Sequence, residues 1–197
     1  MIRETLPMKA GETKLPSVIV VIGVSGSGKS TIASMLAHRL NWEFADGDWF
    51  HPPANVEKMH SGVPLTDGDR WAWLKAIAIW INKTCSARQH GVVACSALKR
   101  SYRDILIGRR TDVRIVYLKG ERKLIERRMA ARPGHFMPVS LLDSQFSTLE
   151  EPEPNENSIV VSIDASAREV VNAILVELDA TPRLMLRPNS RVVRQNK

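Results

Sequence analysis

The sequence predicts an α/β fold, a doubly wound parallel sheet of five strands with helices on both faces. Three observations carry this expectation. Five short stretches read as strands, the first of them, Val18–Ile22, wholly apolar and branched. Helix-like stretches separate each strand from the next, and strands bounded by helices pair in parallel. The first strand also runs directly into "GVSGSGKS" (Gly23–Ser30), a glycine-rich turn that opens a helix.

The elements follow in chain order. After the strand at 18–22 comes a helix at 29–40. The second strand, "WEFADGD" (42–48), is short and ends in acids. Helices are expected at about 55–61 and 69–89. The longer one carries Trp73, Ile77 and Trp80 on one stripe, overlapped by Leu74 and Ile81, a broad apolar face suited to a core. Asp67 or Asp69 is placed to cap it. "GVVACSA" (91–97) is the third strand, followed by a helix at 99–109. "VRIVYLKG" (113–120) is the fourth, β-branched and aromatic, followed by helices at 121–131 and 138–149. The polar, proline-bearing linker "EEPEPNENS" leads into the last strand, "SIVVSID" (158–164), and a final helix at 166–179.

Composition narrows the class of protein. A chain of 197 residues, 44% hydrophobic, is expected to build one domain with one sizeable core. Val18–Ile22 is far too short to span a bilayer, and the N-terminus has no apolar stretch of a secretory signal, so no membrane association is expected. The two cysteines, Cys85 and Cys95, fit a reduced cytoplasmic protein and not a disulfide scaffold. The net charge of +7 invites a nucleic-acid reading, but its location argues against one. Residues 181–197 hold Arg183, Arg187, Arg191, Arg194 and Lys197 with no acid, which leaves the body, 17–180, at +1. The expected organisation is an N-terminal extension (1–16), the domain (17–180) and a basic flexible tail (181–197).

The glycine-rich turn has a specific chemistry. Gly23, Val24, Ser25, Gly26, Ser27, Gly28, Lys29 and Ser30 match G-x-x-x-x-G-K-[ST], between a strand and a helix as the motif requires. Small residues let backbone N–H groups point at phosphates without side-chain clashes. The helix N-terminus adds further N–H groups and its positive dipole end. Lys29 then supplies a cation to the β- and γ-phosphates of ATP, the Ser30 hydroxyl reaches Mg²⁺, and Thr31 sits near the α-phosphate. A guanine-specific N-K-x-D is missing, because "NKTC" (82–85) lacks the aspartate and lies in a helical stretch.

An acceptor site is expected where "DGDWFHP" (46–52) follows the second strand, since ligands bind at the C-terminal ends of such strands. Asp46 is assigned to the metal shell, with a turn or N-cap role as the alternative. Asp48 is assigned to orienting and deprotonating an attacking hydroxyl. His51 is a candidate substrate ligand. Arg70 would sit in the first turn of the long helix, where a cation opposes the dipole and calls for a nearby anion, either Asp67 or a substrate carboxylate. Ser96, Lys99 and Arg103 cluster after the third strand. Arg127, Arg128 and Arg132 lie on a helix leading into Pro-Gly, the expected lid at about 121–140, with Arg128 over the transferring phosphate and Arg127 on ATP. An exposed helix salt-bridged through Glu121 and Glu126 is the alternative there.

Together these residues resemble the thermoresistant gluconokinase type of gluconate kinase. The resemblance rests on "GVSGSGKS", "DGDWFHP", N-x-x-K-M at 55–59, "SGVPLTDGDR" at 61–70, "CSALKRSYRD" at 95–104, "IVYLKG" at 115–120 and "GHFMPVSLLDSQFSTLEEP" at 134–152. It covers roughly residues 17–178. It implies a P-loop kinase fold like that of shikimate and nucleoside-monophosphate kinases, ATP and Mg²⁺ as cofactors, phosphorylation of D-gluconate at its 6-hydroxyl, and a homodimer. Asp48, His51 and Gln145 suit the substrate hydroxyls, and Arg70, Lys99 and Arg103 are the candidates for its carboxylate. A kinase for another sugar acid, or an ATP-binding sensor using the basic tail, are the competing expectations. Pro133 departs from the flexibility expected of a lid.

Overall fold

The computed structural model of the chain describes residues 15–131 and 139–178. The expected tail at 181–197, residues 1–14 of the extension, and Arg132, Pro133, His135 and Phe136 of the expected lid lie outside the described residues.

The five expected strands form one all-parallel sheet: β1 (Val18–Ile22), β2 (Glu43–Asp46), β3 (Gly91–Cys95), β4 (Val113–Lys119) and β5 (Ile159–Ser162), in spatial order β2-β3-β1-β4-β5. Among the described residues, seven α-helices connect and flank them: α1 (Lys29–Leu40), α2 (Pro53–His60), α3 (Asp67–Ser86), α4 (Arg100–Ile107), α5 (Arg122–Ala130), α6 (Val139–Thr148) and α7 (Ala167–Glu177). None of the described helices is long and apolar enough to cross a membrane.

β1 lies at the centre, so both of its faces must be covered. Its side chains alternate between two cores. Ile19 and Val21 join Val92, Ala94, Val116 and Leu118 beneath α1 and α7. Val18, Val20 and Ile22 join Val93, Cys95, Ile115 and Tyr117 beneath α3 and α4. All five residues of β1 are at most 1% exposed. Burying one branched side chain of this size contributes about 1.5–3 kcal/mol, so the strand that carries the glycine-rich turn is firmly held.

The ends of elements differ from expectation in three instructive places. The second strand stops at Asp46, and Gly47–Phe50 form a single 3₁₀ turn, capped by the Asp46 side chain accepting from the Asp48 N–H at 3.1 Å. α3 starts two residues earlier than expected. Its cap is neither Asp67 nor Asp69 but Thr66, whose hydroxyl accepts from the Asp69 N–H while the Asp69 carboxylate accepts from the Thr66 N–H at 2.9 Å. That reciprocal capping box outcompetes a lone aspartate because it satisfies two orphan donors at once. α3 also ends at Ser86, before Arg88 takes a left-handed φ of 55°.

Gly47 has a packing role. A Cβ there would lie 2.5 Å from the backbone carbonyl of Ala94 on β3, and a backbone oxygen does not yield as a side chain does. Gly47→Ala is therefore expected to destabilise the protein by roughly 1–3 kcal/mol through forced separation of the 3₁₀ turn from β3. Chemical denaturation reads this directly as a shift in midpoint at constant slope.

Candidate active site

The Gly23–Gly28 loop sits at the C-terminal end of β1 and turns straight into α1. Gly28 is the N-cap, with φ of 91°, a left-handed conformation that favours glycine, and no side chain caps the helix. The first N–H groups of α1 are thus left open to an anion. Gly26, with φ of 78°, also has Met129 against it, where a Cβ would meet Cγ at 2.6 Å. Ser27 Oγ is buried and has no hydrogen-bond partner among the described residues, a further spare polar atom in the loop. Ser30 and Thr31 are exposed on the first turn of α1.

The Lys29 ammonium spans the loop and donates to the Val24 carbonyl at 3.0 Å. Burial pushes its pKa below the usual lysine value, opposed chiefly by the negative charge of Asp48, with Asp46 also contributing. The two carboxylates of the turn after β2 therefore act electrostatically on the loop lysine, as a donor and acceptor side of one site require. Cys95, also buried near Lys29, has its thiol pushed up by burial and stays uncharged.

On the α1 side of the loop lies a cavity of about 290 Å³, lined by Gly28, Thr31, Arg128, Ile163, Ala165 and Ser166, among others. Arg128, which the sequence suggests for the transferring phosphate, is one of the lining residues. Its guanidinium donates to the carbonyls of Ile163 at 2.6 Å and Ala165 at 3.2 Å, because the chain leaving β5 presents those oxygens to it. It thereby walls the cavity. Arg127 turns back along its own helix and donates to the Lys123 carbonyl at 3.3 Å. Glu126 pairs with Arg122 at 2.7 Å and not with either of these arginines.

On the other side of the loop, the acceptor turn is anchored to α3. Trp73 Nε1 donates to the Gly47 carbonyl at 2.7 Å, and the His51 ring stacks on Trp73 with centroids 4.5 Å apart and planes 10° from parallel. Asn55, buried, donates to the Asp69 carbonyl at 2.8 Å and lies 3.5 Å from His51 Nδ1. Burial lowers the His51 pKa and Arg70 lowers it further, against the opposing pull of Asp48. His51 is thus a neutral ring at neutral pH, a donor and acceptor suited to hydroxyls.

The three candidate cations separate clearly. Arg103 is removed from the candidates for a substrate carboxylate. It is 2% exposed, and its Nε and Nη2 bind the two oxygens of Glu156 at 2.5 and 2.8 Å while Nη1 donates to the carbonyls of Leu98 and Glu150. Every donor face is spent on tying the 150–157 linker to α4. Lys99 Nζ reaches Asp67 at 2.8 Å, and Tyr102 donates its hydroxyl to the other Asp67 oxygen at 2.5 Å. Arg70 donates to the Leu65 carbonyl at 3.2 Å, and its guanidinium lies 5.9 Å from the centre of the Tyr102 ring, with Lys99 Nζ at 5.6 Å from the same ring. Lys99 and Tyr102 hold the Asp67 carboxyl below its usual pKa, with Arg70 as a lesser contribution. Arg70 makes no ion pair with Asp67 among the described residues, and only its charge reaches that carboxylate.

Gln145 is not among the residues of the acceptor turn. Its Oε1 accepts from the Ser25 backbone N–H at 2.6 Å, which places it on the phosphate loop itself.

The family model described as shikimate kinase matches residues 25–179. The gluconokinase of Gluconobacter oxydans is 49% identical over 147 residues, 75% of this chain and 83% of that one. The thermoresistant gluconokinase of Escherichia coli is 45% identical over 159 residues, 78% of this chain and 89% of that one. This chain belongs to the gluconokinase family. A gluconokinase from Sinorhizobium meliloti has the same fold, with a TM-score of 0.77 at 43% identity over 84% of this chain and 93% of that one. The shikimate kinase of Aquifex aeolicus, at 18% identity and a TM-score of 0.53, shares the fold alone.

Within this gluconokinase-family site, sequence reasoning missed three parts. The cavity wall at 163–166 had a usable signal, since small residues follow a strand that ends beside the phosphate loop. The Trp73 anchor of the acceptor turn had none, because its stripe on α3 reads as plain core. Glu156 as the partner of Arg103 lies in a linker whose polar composition reads as solvated.

Proposed function

We propose that the chain transfers the γ-phosphoryl group of ATP to the 6-hydroxyl of D-gluconate, giving 6-phospho-D-gluconate and ADP. The observation that carries this reading is the phosphate loop itself, with the Lys29 ammonium on the Val24 carbonyl and the N-terminus of α1 uncapped, in a chain whose relatives are gluconokinases. The cavity beside Gly28 and Thr31 takes the base, with Arg128 as its cationic wall. The phosphates then run along the loop toward Lys29 and the acceptor turn. Asp48 accepts the proton of the attacking hydroxyl as its oxygen bonds to the γ-phosphorus, and the β–γ bridging oxygen leaves on ADP. Lys29 neutralises charge on the β- and γ-phosphates in the transition state. Neutral His51 orients hydroxyls. Arg70, which among the described residues spends only Nη2, on the Leu65 carbonyl, takes the substrate carboxylate beside Lys99.

No group of three or more His, Cys, Asp or Glu side chains is placed to hold a metal among the described residues. Mg²⁺ keeps several waters and takes phosphate oxygens, and the exposed Ser30 hydroxyl on the first turn of α1 suits such a hard ion. The Ser30 hydroxyl and, through water, Asp46 would hold it, and it would supply positive charge to the phosphates. A cytoplasmic homodimer is part of the same reading.

The test is a coupled ADP-release assay with Mg-ATP against D-gluconate, other sugar acids, shikimate and nucleoside monophosphates. Selective turnover of D-gluconate is expected, and turnover of a different acceptor in its place would overturn the substrate assignment. Asp48→Asn is expected to lower kcat by about 10²–10⁴-fold with ATP affinity within a few fold, as loss of a general base does. Loss of ATP binding instead would move Asp48 to the metal shell.

A further inference from the structure

Gln145 presents its carboxamide to the phosphate loop in one defined orientation. The Ser25 backbone N–H only donates, so the group 2.6 Å from it must be the side-chain oxygen. The Nε2 group therefore points away from Ser25, and its two N–H donors meet no acceptor among the described residues. A donor group held in place by the Ser25 N–H, on the rim of a phosphate-binding loop, is positioned to meet an anion.

Which part of the nucleotide it meets follows from the direction of the loop. The base-side cavity borders Gly28 and Thr31, at the helix end of the loop. Ser25 lies at the other end, next to Val24, whose carbonyl holds the Lys29 ammonium. The triphosphate thus starts near Thr31 and ends near Ser25. Gln145 is on the γ side.

We propose that Gln145 is a catalytic residue on the donor side, whose Nε2 donates to a γ-phosphoryl oxygen of the bound nucleoside triphosphate, and is not a ligand of the sugar-acid hydroxyls. This rests on the nucleotide-binding reading of the loop given above. The Ser25 bond is the orienting element: it holds the amide oxygen so that the donors stay aimed at the γ-phosphate through the reaction. A diphosphate carries no group at that position, so Gln145 distinguishes the substrate nucleotide from its product.

The experiment is calorimetric titration of the full-length protein and of Gln145→Ala with Mg-AMPPNP and with Mg-ADP, followed by steady-state kinetics. A lost hydrogen bond to a charged group predicts about a 10- to 100-fold weaker affinity for AMPPNP, with ADP affinity within about twofold. kcat should fall while the KM for D-gluconate stays within about twofold. Gln145→Glu, which places a negative charge against the γ-phosphate, should weaken AMPPNP further and again spare ADP. Unchanged affinity for both nucleotides overturns the proposal. An equal loss for both also overturns it, reducing Gln145 to a prop for the loop, and so does a raised gluconate KM with intact AMPPNP binding. A wild-type protein that binds neither nucleotide sinks the reading of the loop together with the proposal, whereas retained ADP binding keeps the loop and judges Gln145 alone.

Discussion

Lys29→Ala is expected to lower kcat by about 10²–10³-fold, the scale of removing one preorganised donor from a transition-state charge. The fold should survive. Lys29 makes one hydrogen bond, to a loop carbonyl that faces the site, and burial already disfavours its charged form. Alanine also has the highest helix propensity at this position, the first residue of α1. A thermal melt should therefore show an unchanged or slightly higher Tm beside the lost turnover. Near-normal kcat would remove Lys29 from the chemistry, and a collapsed Tm would assign the lysine to structure.

Arg103→Ala should show the reverse pattern. The Arg103–Glu156 pair is buried on both sides, with side chains 2% and 4% exposed. Removing the arginine leaves the buried Glu156 carboxylate with only the Glu153 N–H and the Arg100 guanidinium at 3.5 Å, and strands the Glu150 carbonyl, a loss of about 3 kcal/mol. In a domain of this size that lowers Tm by on the order of 10 °C. The KM for D-gluconate, measured well below the new Tm, should not move.

The pH dependence sharpens this prediction. In the wild type, burial works to raise the Glu156 pKa, but the Arg103 hydrogen bond and charge win and hold it below the ordinary carboxylate value. Its contribution to stability is complete above the unfolded-state pKa of about 4.3 and is lost as pH falls through the lower folded value. Without Arg103, only the Glu153 N–H and the Arg100 charge still oppose burial, and the folded pKa rises from its wild-type value. The variant's deficit is then largest at neutral pH and shrinks as the solution is acidified through the carboxylate range. A deficit independent of pH would mean that the lost carbonyl contacts, and not the charge, dominate.

The phosphate loop and the parallel sheet were legible in the sequence because both depend on short-range physics. Gly26 and Gly28 adopt the left-handed angles that their lack of a Cβ permits, and the loop's motif spacing already contains its donors, its lysine and its helix. The five strands are apolar runs bounded by turn residues, and the helices between them dictate parallel order. Element ends were less legible, as at α3, where Thr66 and Asp69 close a box that a reading of single aspartates does not reveal.

Side-chain partnership belonged to the tertiary structure. Arg70, Lys99 and Arg103 look alike as cations near one strand end. Only folding brings Glu156, 53 residues away, onto Arg103, and places Asp67, 32 residues away, on Lys99. Arg128 is claimed by carbonyls 35 and 37 residues on, and Gln145 by an N–H 120 residues back. Composition and spacing say which groups carry charge or hydrogen-bonding capacity. Which of those groups is already satisfied, and which is left over to meet a ligand, is decided by contacts between distant segments, because desolvation and hydrogen-bond geometry arise only when the core closes.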